Sequence, residues 1–154
     1  MAATDGSSAV ANGDHASKIK PIEVAISLPS NPGTRLHLHL TTHATSFMLF
    51  LTTASIEGGN GLASMGSLVY AMPDRYNPSQ PLSTPLYTLP STLDFATRLA
   101  KLLARRTKMA CYVGSSVNLS DAIGGGTVEE EMEAFRAVVD TVIAEIGKIE
   151  PQPG

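Results

Sequence analysis

With 154 residues, 43% of them hydrophobic and 16% charged, the chain is sized for one domain with a substantial core and a rather unpolar surface. A net charge of −3 argues against nucleic acid as the main partner, and no apolar run approaches the roughly 20 residues that span a bilayer. One cysteine excludes an internal disulfide and suits a reducing compartment, and Met1 to Asp14 hold no apolar core flanked by positive charge, so a soluble intracellular protein without a secretory signal is expected.

Residues 1–18 are small and polar, which predicts a disordered tail; the folded domain is expected over 19–149, with 150–154 frayed. Ile22 to Leu28 alternates loosely and reads as a first strand. Pro29-Ser30-Asn31-Pro32-Gly33 reads as a turn, since proline fixes one dihedral and glycine supplies positive φ. Arg35-Leu36-His37-Leu38-His39-Leu40 alternates strictly, the mark of a half-exposed strand, and pairs with 22–28 as a hairpin. Thr45 to Ser55 is a third strand, and Glu57-Gly58-Gly59-Asn60-Gly61 a flexible loop. Ser64 to Met72 is the next strand, ended by Pro73. The irregular stretch Pro73 to Pro81 leads to Ser83–Thr88, a short edge strand limited by Pro81, Pro85 and Pro90, because proline cannot donate to a ladder.

Ser91-Thr92-Leu93-Asp94 opens a helix, with the serine placed to cap free amides and an acid three residues later to answer it. Leu93, Ala96, Leu99, Ala100, Leu103 and Ala104 form its apolar stripe. Met109 to Val117 is the last strand, and Gly124-Gly125-Gly126 a hinge-like loop. Thr127 then caps a second helix, with Glu130 in the matching position. Its predicted seam is Val128, Met132, Phe135, Val139, Val142, Ile146 and Ile149. The sum is an α+β fold: an antiparallel β-sheet of about six strands with two helices packed on one face.

Phe47-Met48-Leu49-Phe50-Leu51 is apolar at every position, and Leu68-Val69-Tyr70-Ala71-Met72 and Met109-Ala110-Cys111-Tyr112-Val113 behave alike. Successive strand side chains point to opposite faces, so these strands are apolar on both. Such a sheet needs both faces covered, and two helices suffice for one. The other face awaits another polypeptide, which points to a protein that binds proteins.

Charge is segregated as well. Arg98, Lys101, Arg105, Arg106 and Lys108 are five of the eleven basic residues, and seven of the fourteen acidic ones fall between Glu129 and Glu150. Arg98, Lys101 and Arg105 line one helix face, either as a solvated surface or as a docking face for an acidic partner. Asp74-Arg75-Tyr76, on the proline-rich connection, reads either as an interface hot spot or as a local Asp–Arg pair around a turn.

Three features suggest chemistry, and each has a plainer reading. His37, His39 and His43 share a strand region and suit zinc or copper, yet no nearby Cys, Asp or Glu completes a set, and the leucines between them occupy the other face. Cys111 has the makings of a thiol nucleophile, but its neighbours Ala110, Tyr112 and Val113 mark a small buried apolar residue. Gly124-Gly125-Gly126 before a helix resembles a phosphate cradle, but Glu129, Glu130 and Glu131 in the first turn repel phosphate, and no Lys-Ser or Lys-Thr follows. No catalytic residue, metal site or cofactor is therefore expected.

Taken together, these segments resemble the proteasome assembly chaperone 4 family. The likeness covers about 36 to 135 and is carried by Leu38-His39-Leu40 running into Ser46-Phe47-Met48-Leu49-Phe50-Leu51; by Leu68-Val69-Tyr70-Ala71-Met72-Pro73-Asp74-Arg75-Tyr76; by Leu82-Ser83-Thr84-Pro85-Leu86; by Ala96-Thr97-Arg98-Leu99-Ala100 to Ala104-Arg105-Arg106-Thr107; by Cys111-Tyr112-Val113-Gly114-Ser115; and by Val128-Glu129-Glu130-Glu131-Met132-Glu133-Ala134-Phe135. Order and spacing carry it, with no single diagnostic motif. The chain departs from the family in its long polar N-terminus, the glycine-rich loop at 58–61, the insertion at 124–126 and extra helix after Phe135.

The resemblance implies a non-enzymatic chaperone of 20S core-particle assembly, a sheet flanked by helices, and neither ATP nor metal. It implies a heterodimer with a proteasome assembly chaperone 3-like protein that holds a free proteasome α-type subunit, promotes α-ring formation and leaves before the particle is finished. Neither nucleic acid nor membrane is an expected partner, and the expected location is the cytoplasm, with the nucleus second. For the partner chaperone, one side of 47–51, 68–72 and 109–113 is expected, with Phe47, Leu49, Phe50, Leu51 and Tyr70 as candidate contacts. For the α-type subunit they are Asp74, Arg75, Tyr76, Arg98, Lys101 and Arg105. The outward parity of each strand stays open in the sequence. The rivals are a small metal- or thiol-dependent enzyme using His37, His39 and Cys111, and a homodimeric scaffold unconnected with the proteasome.

Overall fold

A computed structural model describes residues 20–55, 64–117, 119 and 127–149. The expected tails at 1–18 and 150–154 and the glycine loops at 58–61 and 124–126 lie outside these described residues. Strands β1 (Ile22–Leu28) and β2 (Asn31–Thr42) form the expected antiparallel hairpin, with Ile22, Val24 and Ile26 opposite Leu40, Leu38 and Leu36. This register gathers the apolar half of both strands on one face. The turn is shorter than expected: it occupies Pro29 and Ser30, and β2 begins at Asn31, with a register shift at Ser27/Leu28 absorbing the difference.

Strand β3 (Ser46–Ser55) pairs antiparallel with β2, and β4 (Ser67–Met72) pairs antiparallel with the edge strand β5 (Leu82–Tyr87). Helix α1 (Pro90–Thr107) then returns the chain to β6 (Ala110–Ser115), and α2 (Val128–Ile149) follows. The six strands run in the order β1-β2-β3-β6-β4-β5. β6 inserts between β3 and β4, parallel to β3 and antiparallel to β4. The sheet is thus mostly antiparallel with one parallel pair. Parallel neighbours need a long crossover, and the segment from β4 through α1 supplies it.

Both helices pack on the same face. α1 lies on β4, β5 and β6, α2 lies on β1 and β2, and the helices meet where Phe95 and Phe135 pack edge to face with centroids 5.7 Å apart. The expected α1 stripe is present, with Ala96, Leu99, Ala100, Leu103 and Ala104 fully buried, and Phe95 joins it. Beneath lie Leu36, Leu38 and Leu40, then Phe47, Leu49 and Leu51, then Val69, Ala71, Cys111 and Val113. Each fully buried leucine or phenylalanine here contributes about 1.5–3 kcal/mol.

The helix termini differ from expectation at one end. α1 begins at Pro90 rather than after Ser91, and its N-cap, Leu89, makes no side-chain cap. Proline presets the first helical dihedral without needing a partner for an N–H. The polar work is done from another strand: Ser67 Oγ accepts the Leu89 N–H at 2.9 Å, donates to the Leu89 carbonyl at 3.0 Å, and lies 2.8 Å from Thr92 Oγ1. Lys108 closes α1 in the left-handed region (φ 57°), its N–H donating to the Ala104 carbonyl. Thr127 caps α2 as expected, accepting the Glu130 N–H at 3.2 Å.

The seam of α2 is a correction. Ala134, Val138, Val139, Val142 and Ile146 are buried, whereas Val128 is 75% exposed and Met132 and Ile149 are also open to solvent. Helix α2 covers only β1, β2 and part of α1, so its end turns have no layer beneath them.

Candidate protein interface

The strand parity left open in the sequence is resolved by the sheet. Phe47, Leu49, Leu51, Val69, Ala71, Cys111 and Val113 face the helices; Met48, Phe50, Leu68, Tyr70, Met72 and Tyr112 take the opposite face. In register, Met48, Tyr112, Tyr70 and Thr84 form one row across β3, β6, β4 and β5, and Phe50, Gly114, Leu68 and Tyr87 form the next. Tyr70 and Tyr112 pack with ring centroids 4.8 Å apart. The Phe50 ring crosses β6 at Gly114, where a Cβ would come within 2.6 Å of Phe50 Cδ1. Glycine is required here by this close approach.

Among the described residues, no element lies over this face. Its centre is aromatic and apolar. On the β1–β2 side it gives way to Glu23, His37 and His39, with His39 Nδ1 3.4 Å from Glu23 Oε1. On the other side it runs out to Met72 and to Leu82, which is 55% exposed. An apolar centre with a polar border is the anatomy of a protein–protein contact.

Three candidate contacts are corrected. Phe47 and Leu49 are 0% exposed and Leu51 1%, all beneath the helices, so no partner reaches them. Phe50 and Tyr70 do lie on the uncovered face. Met48, Leu68, Met72 and Tyr112 share that face with them, within the expected ranges 47–51, 68–72 and 109–113. The signal was present in β2: its strict leucine–histidine alternation marks the core face, and the pairing of Leu40 with Leu49 carries that parity onto β3.

The second candidate region brings the 73–81 connection against α1. Asp74 Oδ1 accepts the Tyr76 N–H at 2.9 Å, forming an Asx turn that holds Tyr76 99% exposed. Among the described residues Asp74 forms no ion pair with Arg75. An open groove separates this connection from α1, with Lys101 and Arg105 on its wall. Arg98 also borders it but is engaged within the chain. It donates to Asp94 Oδ2 at 2.9 Å and to Glu131 of α2, and its guanidinium stands 5.6 Å from the centre of the Phe135 ring. Burial works against the Arg98 charge, but the Glu131 hydrogen bond and the Asp94 carboxylate outweigh it and raise its pKa above the usual value.

The residues that suggested chemistry are placed otherwise. Cys111 is fully buried, its Sγ 3.4 Å from the Ala100 carbonyl, and burial pushes its thiol up to about 12. A thiol held protonated in the core is no nucleophile. His37 and His39 share the uncovered face, and the His43 N–H donates to the Ser46 carbonyl. Among the described residues no group of three His, Cys, Asp or Glu is arranged to hold a metal ion, and no helix is long and apolar enough to cross a membrane.

The family model of proteasome assembly chaperone 4 matches residues 35–117, a span that contains β3 to β6, most of β2 and the whole apolar centre of the uncovered face. A chain in the solved structure described as a novel chaperone complex for yeast 20S proteasome assembly is similar in fold, with a TM-score of 0.56 at 15% identity over 84% of this chain and 95% of that one. No curated protein sequence matches.

Proposed function

This chain belongs to the proteasome assembly chaperone 4 family, and from that membership we propose that it is a stoichiometric chaperone of 20S core-particle assembly that pairs with a second, proteasome assembly chaperone 3-like protein and holds a free α-type subunit. The family is one of assembly chaperones, not of enzymes. The observation that carries the proposal is the uncovered sheet face: Met48, Phe50, Leu68, Tyr70 and Tyr112 form one apolar surface with no described element upon it. Contiguous apolar patches on monomers rarely exceed a few hundred Å², and obligate interfaces look like a core cut in half. The partner chaperone covers this face. The Asx-turn loop at 74–76 and the Lys101–Arg105 side of α1, at the edge of the sheet, meet the α-type subunit.

The mechanism is differential affinity, with no bond made or broken. The pair holds an incomplete α-ring more tightly than a complete one, and incoming subunits displace it by competing for the same surface. The fitting location is the cytoplasm, and the nucleus after it.

Native affinity purification with mass spectrometry tests this reading. Proteasome α-type subunits and a second chaperone of similar size are expected with the native chain. Phe50→Glu should lose the second chaperone while staying folded. Recovery of this chain only as a homodimer, without α-type subunits, contradicts the proposal.

A further inference from the structure

The groove between the 73–81 connection and α1 carries a chemical signature of its own. Lys101 and Arg105 stand one helical turn apart on its wall, a spacing of roughly 6 Å. Among the described residues, the ion pairs involve Glu23, Asp94, Glu131 and Glu145, and none reaches Lys101 or Arg105. Arg98, at the same groove, has its charge answered by Asp94 and Glu131, so the unanswered positive charge is confined to the other two. The acidic residue bordering the groove, Asp74, is turned toward the Tyr76 N–H. Between the cations and the loop, Leu82 is largely exposed and Leu102 half-buried, so the groove also offers apolar walls. Its volume, about 630 Å³, is that of a cleft that accepts several side chains.

We infer that this groove takes an acidic segment of the α-type subunit, with carboxylates on Lys101 and Arg105 and an apolar side chain between Leu82 and Leu102. Charge complementarity selects the class of segment: a neutral apolar strand leaves two cations facing its backbone, and a basic one is repelled. The groove lies at the β5–α1 edge, where Leu82 also ends the border of the Phe50 face, while Lys101, Leu102 and Arg105 belong to α1. The identity of the client rests on the proposed function; the preference for acid does not.

Fluorescence anisotropy on the full chain tests it with a fluorescein-labelled peptide, a pair of glutamates on each side of a leucine, against its glutamine counterpart. The acidic peptide should bind about tenfold more tightly at low salt, and that preference should fade as salt rises. Lys101→Glu with Arg105→Glu should abolish the preference, and the milder Lys101→Gln with Arg105→Gln should weaken it while leaving the melting temperature within a few degrees. Arg136→Glu, a reversal on the exposed side of α2, should leave it unchanged. Equal binding of the two peptides overturns the inference, as does an Arg136 reversal that acts as strongly as the groove pair. If the acidic preference holds but native purification yields no α-type subunit, the groove stands as an acidic-peptide site and the client assignment falls.

Discussion

The Phe50 ring lies across the Gly114 backbone, so close that a β-carbon on the glycine would come within 2.6 Å of the ring. A residue of β3 therefore roofs the neighbouring strand β6, and the uncovered face is smoothed between Tyr112 and Leu68. Gly114→Ala should displace the ring rather than disturb the core, because Phe50 lies on the face of the sheet away from the helices. The expected cost to the fold is about 1–2 kcal/mol. Pairing with the second chaperone should weaken by tenfold or more, as about 1.4 kcal/mol of lost shape complementarity produces. Thermal melting and a binding titration on one preparation separate the two effects.

Phe47 and Phe50 are three residues apart and point to opposite sides of the sheet, Phe47 into the core and Phe50 onto the uncovered face. Phe47→Glu buries a charge in the core on the helix side of the sheet and should abolish folding, at a cost of several kcal/mol. Phe50→Glu should leave circular dichroism and melting near native and remove the heterodimer. Were both variants to fold and pair, the interface would lie elsewhere.

That contrast also marks how far the sequence could be read. Helices on one face, a hairpin at one end and a proline-limited edge strand at the other were legible in the periods of residues 22–40, 83–88 and 93–104. The parity of β3, β4 and β6 was obscured because Phe47 and Phe50, or Val69 and Tyr70, are all apolar, so hydrophobicity alone does not separate the faces. The insertion of β6 beside β3 was hidden for a different reason: strand neighbours are chosen by packing across the whole sheet. Ser91 matched a local capping pattern, but the start of α1 is held by Ser67 from a distant strand. On α2, seven apolar positions fit a helical seam, while the area beneath accommodates only the middle of it.

Ser67→Ala should destabilise the chain by about 1–3 kcal/mol, because it strips the Leu89 N–H and the buried Thr92 hydroxyl of a shared partner. Denaturant titration gives the value. Ser91→Ala, at the position that merely resembles a cap, should change stability by less than about 0.5 kcal/mol.

Burial raises the Cys111 thiol from 9.0 to about 12. The native state therefore keeps its proton at pH values where the unfolded chain has lost it. Stability from this group is fully present below pH 9 and is lost as pH rises from there toward about 12. Cys111→Ala should remove that alkaline slope, seen by comparing denaturation midpoints at neutral pH and above pH 9. Alkylation of the native protein near neutral pH should be slow and should track unfolding.

Residue-level footprinting of the chain alone and in complex with the second chaperone is the most direct probe of the uncovered face. Oxidative labelling of Met48, Tyr70 and Tyr112 should fall sharply on pairing, while Tyr76, on its exposed turn, stays labelled until an α-type subunit is added. Unchanged labelling of Met48, Tyr70 and Tyr112 in a complex of verified mass would contradict the proposal that a partner completes this side of the sheet.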